Sequence, residues 1–277
     1  MMAIPIQTVT TDGVSMNYFS FGEGERPFVI LPGLSIQSVM GSAEAVARGY
    51  ASLGKEYRIY VFDRRAVLPE TYTVRDMARD TAKAMKALGL EKACLFGASQ
   101  GGMMALVIAI EYPELVDKLV LGSTSAHVKA EQYRVVENWI RLAESGDAVS
   151  LYLDFGREIY PPEVFEQYRE TLIAAGESVT EEELRRFIIL ARGTKDFCVA
   201  EELNKIQCPV LAIGVFEDAV LDSDATMEIA EKLDLRPDFR LFMYMGYGHA
   251  AFDTAPDYKA RILRFLNTTP AGEKETP

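Results

Sequence analysis

One serine in this 277-residue chain stands where its hydroxyl can be turned into a nucleophile. Ser99 is the centre of Gly97-Ala98-Ser99-Gln100-Gly101, a G-x-S-x-G string that follows the apolar run Ala93-Cys94-Leu95-Phe96 and opens a mostly apolar stretch from Gly101 to Tyr112. A strand that turns abruptly into a helix leaves no room for side chains two positions before and two after the turning residue. Gly97 and Gly101 fill those places. Ser99 would then project from the carboxyl end of a strand, with a helix N-terminus behind it that favours developing negative charge. The chemistry that fits is attack on a carbonyl carbon through a covalent intermediate.

A serine hydroxyl needs an adjacent base, usually an imidazole, and the chain has two histidines. His249 lies in the glycine-containing stretch Met245-Gly246-Tyr247-Gly248-His249, between the last expected strand and the last expected helix, and is the candidate base. His127 follows Gly122-Ser123-Thr124-Ser125-Ala126 and is a candidate substrate contact. A carboxylate must hold the imidazole in the right tautomer and stabilise its cation. It is expected on the loop after the strand that ends at Gly214, where Asp218 is the first candidate and Glu217 the alternative. Asp222 and Asp224 read instead as caps of a helix beginning near Ala225. The order nucleophile, acid, base along the chain is consistent with this set. Two backbone N–H groups are also needed for the oxyanion: that of Gln100, directly after the nucleophile, and that of Leu34 in Leu31-Pro32-Gly33-Leu34-Ser35.

The elements that would position these residues alternate between strand-like and helix-like, which predicts an α/β fold with a mainly parallel central sheet flanked by helices. Strands are expected at Phe28 to Leu31, Arg58 to Asp63, Ala93 to Phe96, Lys118 to Leu121, Pro209 to Gly214 and Phe239 to Met243, and helices at Thr73 to Gly89, Gly101 to Tyr112 and Asp257 to Leu266. Phe19 to Phe21, with the turn Gly22-Glu23-Gly24-Glu25-Arg26-Pro27, reads as a hairpin leading antiparallel into the first central strand. From residue 128 to 200 clear strands are missing, and Trp139, Leu142, Phe155, Tyr160, Phe165, Tyr168 and Leu172 recur at helical spacing. This predicts a helical cap inserted between a first part of the core (1–127) and a second (201–277). Glu181-Glu182-Glu183 is expected to be a solvated helix start. The tail 267–277 is polar and expected to fray, and Asn267-Thr268-Thr269 fits a glycosylation sequon without other support.

Hydrophobic residues make up 49% and charged residues 25%, the balance of a folded globular protein. The net charge of −12 repels nucleic-acid backbones and anionic membrane surfaces, so neither is expected as a partner. The start of the sequence has no basic-then-apolar leader and no apolar run is long enough to span a bilayer, which predicts a cytoplasmic protein. Cys94, Cys198 and Cys208 show neither a disulfide framework nor metal spacing, and Cys94 and Cys208 are expected to be buried. The Asp218, Asp222, Asp224 cluster lacks the glycine and terminal glutamate of a calcium loop, so no metal is expected, and serine attack through a covalent intermediate calls for no cofactor.

Taken together, Phe96 to Gly102, Tyr247-Gly248-His249, Pro209 to Gly214 and Glu111-Tyr112-Pro113-Glu114-Leu115-Val116 make the sequence resemble the α/β-hydrolase fold superfamily, in its serine-nucleophile branch with a helical cap. Two departures stand out. The usual His-Gly pair of the oxyanion loop is Pro32-Gly33, and the common Gly-His-Gly-x-Ser stretch after the second core strand is Asp63-Arg64-Arg65-Ala66-Val67-Leu68. The resemblance implies hydrolysis of a small carboxylic ester or thioester by a Ser-His-Asp triad, and the aromatic and aliphatic residues of the cap point to a substrate whose acyl or alcohol part is mainly apolar. Related folds carry a first alternative, C–C bond hydrolysis or an iminopeptidase-like activity on the same triad, and a second alternative from a different class is a non-catalytic hydrolase-like binding protein. A serine at position 99 argues against the dehalogenase and epoxide hydrolase relatives, which use aspartate there.

Overall fold

The computed structural model describes residues 3–268. Eight strands form one sheet: β1 (Gln7–Thr11), β2 (Val14–Phe21), β3 (Arg26–Leu31), β4 (Tyr57–Arg65), β5 (Ala93–Ala98), β6 (Val116–Gly122), β7 (Val210–Val215) and β8 (Phe239–Tyr244). Their spatial order is β1-β2-β4-β3-β5-β6-β7-β8. β1 and β2 are antiparallel to their neighbours and all other pairs are parallel. Every residue of β5 and β7 is buried, as expected of parallel strands covered on both faces.

Among the described residues ten α-helices accompany the sheet: α1 (Ala43–Gly49), α2 (Val74–Ala87), α3 (Gln100–Glu111), α4 (Ala130–Glu144), α5 (Ala148–Ile159), α6 (Pro162–Glu177), α7 (Glu181–Arg192), α8 (Asp222–Leu233), α9 (Ala251–Thr254) and α10 (Tyr258–Leu266). Thr73 and Asp76 start α2 with a reciprocal capping box. α3 is buried from Gln100 to Ile110, which accounts for its apolar sequence. Helices α4 to α7 lie between β6 and β7, and the chain enters and leaves them through an antiparallel bridge between His127 and Cys198. No helix among the described residues is long and apolar enough to cross a membrane.

Register gathers the loops that matter. Leu31 pairs with Gly97, Ala98 with Gly122, and Gly122 with Ile213, so β3, β5, β6 and β7 end nearly abreast. The loops after them therefore open at one carboxyl edge of the sheet, where open α/β sheets place their sites.

Three expectations change. β2 does not pair with β3, because β4 lies between them, so the turn at residues 22–27 is a crossing and not a hairpin. Gly24 permits the crossing: a Cβ there would sit 2.0 Å from the carbonyl oxygen of Glu56. Asp222 and Asp224 do not cap a helix near Ala225. Both lie inside the first turn of α8, whose preceding residue is Leu221. Glu183 is not wholly solvated, since it is half-buried and accepts a hydrogen bond from Gln37 Nε2 at 3.2 Å. Cys94 and Cys208 are buried, and burial pushes both thiols up to about 12. Of the polar tail, residues 269–277 lie outside the described residues, and the sequon extends into them.

Candidate active site

Ser99 sits between β5 and α3 with φ 52° and ψ −122°, a left-handed conformation that a side chain rarely adopts. The structure around it over-determines the strain. Its N–H donates to Gly122 O at 2.9 Å, and its carbonyl accepts from Thr124 Oγ1 at 2.7 Å and from Gly102 N at 2.8 Å. The turn closes because Gly97 and Gly101 lack side chains: Cβ atoms there would lie 2.3 Å from Gly101 O and 2.0 Å from Leu31 O.

The loop after β7 supplies Asp218 and the loop after β8 supplies His249, both buried. His249 Nδ1 is 2.8 Å from both carboxylate oxygens of Asp218. Asp218 Oδ1 also accepts from the N–H groups of Val220 and Leu221, each at 2.9 Å, so the carboxylate is fixed by backbone before it meets the imidazole. Glu217 points elsewhere and accepts from Gly246 N at 2.8 Å. The loop carrying His249 is in turn held to the helical insertion, where Ala250 N donates to Ile159 O at 2.9 Å.

Ser99 and His249 open onto one cavity of about 660 Å³. Its floor includes Pro32, Gly33 and Leu34, and its roof comes from α4 to α6 through Trp139, Tyr152, Phe155, Ile159, Tyr160 and Leu172. A Cβ on Gly33 would come 3.2 Å from Ser99 Cβ, so the 32–34 loop runs directly against the serine. Gln100 is the first residue of α3, where amide N–H groups have no acceptor within the helix. His127 is not part of this wall and lies 3.9 Å from Glu228. Asp218, Asp222 and Asp224 do not gather round a common point in the site: Asp218 faces His249, while Asp222 accepts from Asp224 N at 3.4 Å.

A family model described as the alpha/beta hydrolase fold matches residues 26–145. The crystal structure of MGS-M2, an α/β hydrolase enzyme from a Medee basin deep-sea metagenome library, matches 98% of this chain and 100% of its own with a TM-score of 0.85 at 22% identity. The chain has the α/β-hydrolase fold. "Putative carbamate hydrolase RutD" from Caulobacter sp. (strain K31) is 26% identical over 95% of this chain and 98% of its own. "Serine hydrolase BPHL" from Mus musculus is 31% identical over 49% of this chain and 48% of its own.

The chain also carries a buried polar network under the 32–34 loop, built on residues to which the sequence alone assigns no role. Asp63 accepts from Arg64 N at 2.7 Å and from Ser38 Oγ, and pairs with Arg186 of α7. Arg64 is only 4% exposed, and Gln100 Nε2 reaches Leu190 O of α7 at 2.7 Å. A signal was present: Asp63-Arg64-Arg65 puts three charges at the carboxyl end of an apolar core strand, the edge where the site forms. Tyr152 OH donates to Gln37 Oε1 at 2.9 Å, and burial raises that phenol to about 12, so it stays a donor.

The elbow gives a direct stability test. Gly101→Ala would drive a methyl group into the Leu31 carbonyl and is expected to cost about 3 kcal/mol or more in urea unfolding. Gly41→Ala, at the same cavity but with nothing within 4 Å of the added Cβ, should stay within about 0.5 kcal/mol of wild type. Equal midpoints for the two variants would refute the steric account of the elbow.

Proposed function

We propose that this hydrolase cleaves small carboxylic esters or thioesters through an acyl-enzyme, with Ser99 as nucleophile, His249 as base and Asp218 as the acid that orients it. The observation that carries the reading is the His249 imidazole fixed by Asp218 at the wall of the same cavity that exposes the strained Ser99. Because Nδ1 faces the carboxylate, its proton is held there, and Nε2 is left as the lone-pair nitrogen that can take the serine proton. Ser99 Oγ adds to the ester carbonyl as its proton passes to His249. The tetrahedral oxyanion is received by the N–H groups of Leu34 and Gln100. Collapse expels the alcohol or thiol with that proton, and water repeats the sequence to release the acid and free Ser99.

The aromatic and aliphatic roof supports a mainly apolar acyl or alcohol part. The test is direct: p-nitrophenyl esters from acetate to octanoate should be turned over, and a fluorophosphonate should add once, on the peptide containing Ser99. Labelling without turnover would favour a hydrolase-like binding protein, and neither would remove the reading.

Charge on the wall predicts selectivity within that class. The cavity is lined by Glu183 and Asp253 and by no lysine or arginine. Glu183 is half-buried and Asp253 exposed along that wall, so an acyl group carrying its own negative charge is repelled there. At an effective dielectric of about 20 and a separation of about 8 Å, each carboxylate pair costs about 2 kcal/mol. Mono-p-nitrophenyl succinate should therefore show kcat/KM at least about tenfold below p-nitrophenyl butyrate, with the gap narrowing in high salt. Equal values would show that the two carboxylates do not face the acyl group. The same electrostatics favours a neutral carbamate ester over an anionic carbamate, should the activity named for the RutD relative extend to this chain.

A further inference from the structure

We infer that Arg64 is a positioning residue that locks the two oxyanion donors into register with each other, in place of the histidine that this chain lacks before Gly33. The inference rests on the acyl-transfer reading above. Arg64 stands at the carboxyl end of β4, beside the strand that runs into the 32–34 loop. Its Nη2 is 2.8 Å from Pro32 O, 3.4 Å from Gly33 O and 2.9 Å from Gln100 Oε1. One guanidinium nitrogen thus touches both segments that carry the donors.

The geometry of a trans peptide turns these contacts into aim. Gly33 C=O and Leu34 N–H belong to one planar unit and point in opposite directions. A cation drawing Gly33 O from beneath the loop therefore turns the Leu34 N–H away from it, toward the cavity that Leu34 lines. It also polarises that peptide and strengthens its N–H as a donor. On the other side, Gln100 is 1% exposed and its side chain is held at both ends, by Arg64 and by Leu190 O. That fixes the residue whose backbone N–H is the second donor.

The arrangement favours position over saturation. Arg64 Nε is buried without a partner, which is costly, while Nη2 collects three acceptors. Asp63 supplies the countercharge and, through Arg186 and Ser38, ties the same point to α7 and to the loop beyond residue 34.

Arg64→Met and Arg64→Lys test this with p-nitrophenyl butyrate and with a butylboronic acid, whose tetrahedral serine adduct imitates the charged intermediate. Arg64→Met should lower kcat about 100-fold with KM within threefold, and weaken the boronic acid by a similar factor. Arg64→Lys, a point charge without the planar fork, should recover part of kcat, and added guanidinium ion should recover part of it for Arg64→Met. Wild-type kcat in both variants, or a loss confined to KM, overturns the inference while a Ser99-labelled wild type keeps the acyl-transfer reading. A wild type that is neither labelled nor active removes both. Should Arg64→Met fail to fold, Gln100→Ala decides: it keeps the backbone donor, removes one acceptor of the guanidinium, and is expected to lower kcat about tenfold. An unchanged kcat there counts against the inference.

Discussion

Ser99→Ala is expected to lower kcat for p-nitrophenyl butyrate by about four to six orders of magnitude, to the level left by binding and the oxyanion donors alone. The variant should melt within about 2 °C of wild type, because alanine keeps the Cβ and so keeps the strain of φ 52°. Ser99→Gly should be just as inactive but more stable by about 1 kcal/mol, since glycine adopts positive φ without penalty. Calorimetry beside initial rates separates the two effects. Residual activity within tenfold of wild type in either variant would mean that another group attacks.

The second large effect concerns the acid. Asp218→Asn is isosteric, yet it should cost roughly 10⁴ in kcat for a reason readable in the loop. Two backbone N–H groups, from Val220 and Leu221, already claim one oxygen of this side chain. An asparagine must give them its carbonyl, because its amide hydrogens would face two donors. The NH₂ then points at His249 Nδ1, takes that lone pair, and leaves the proton on Nε2, where the base must be free. Glu217→Gln should change kcat by less than about threefold, as its partner is the Gly246 amide and lies away from the imidazole. If Glu217→Gln were the damaging change and Asp218→Asn the silent one, the assignment of the acid would be reversed.

Much of the candidate site was legible because the carbonyl chemistry proposed for it restricts residue types at places the sequence can locate. A serine between two glycines at a strand-to-helix turn, a histidine in the last loop and an aspartate after β7 are each tied to the end of an apolar strand. Asp218 could be preferred to Glu217 but not separated from it, since adjacent side chains on a loop have no fixed direction until backbone hydrogen bonds choose one. Arg64 was harder. Whether a charged residue at a strand end turns under the neighbouring loop or out to solvent depends on the parity of the pleat and on the strand beside it, and neither is written locally. The order of β2, β4 and β3 was hidden for a related reason. A glycine-rich turn between two apolar strands signals a hairpin, and only the later β4, far along the chain, displaces that pairing. β1 escaped notice because it is an edge strand with a single buried residue, Val9, and so lacks the alternation that would announce it.

The bridge at His127 and Cys198 has a consequence for how such a protein changes over time. Val199 N donates to Ala126 O at 2.7 Å and Val128 N to Phe197 O at 2.9 Å, so the chain departs from the body and returns to it at one point. A segment whose ends are already clipped together can lengthen or shorten with little cost to the rest, since closure entropy grows only by about 0.6 kcal/mol for each doubling. The serine, aspartate and histidine all lie outside that segment, while much of the cavity roof lies within it. Under the proposed mechanism, reaction and selectivity fall on separate pieces of one polypeptide, and exchange of residues 128–197 between relatives would alter the cavity roof while leaving Ser99, Asp218 and His249 in place.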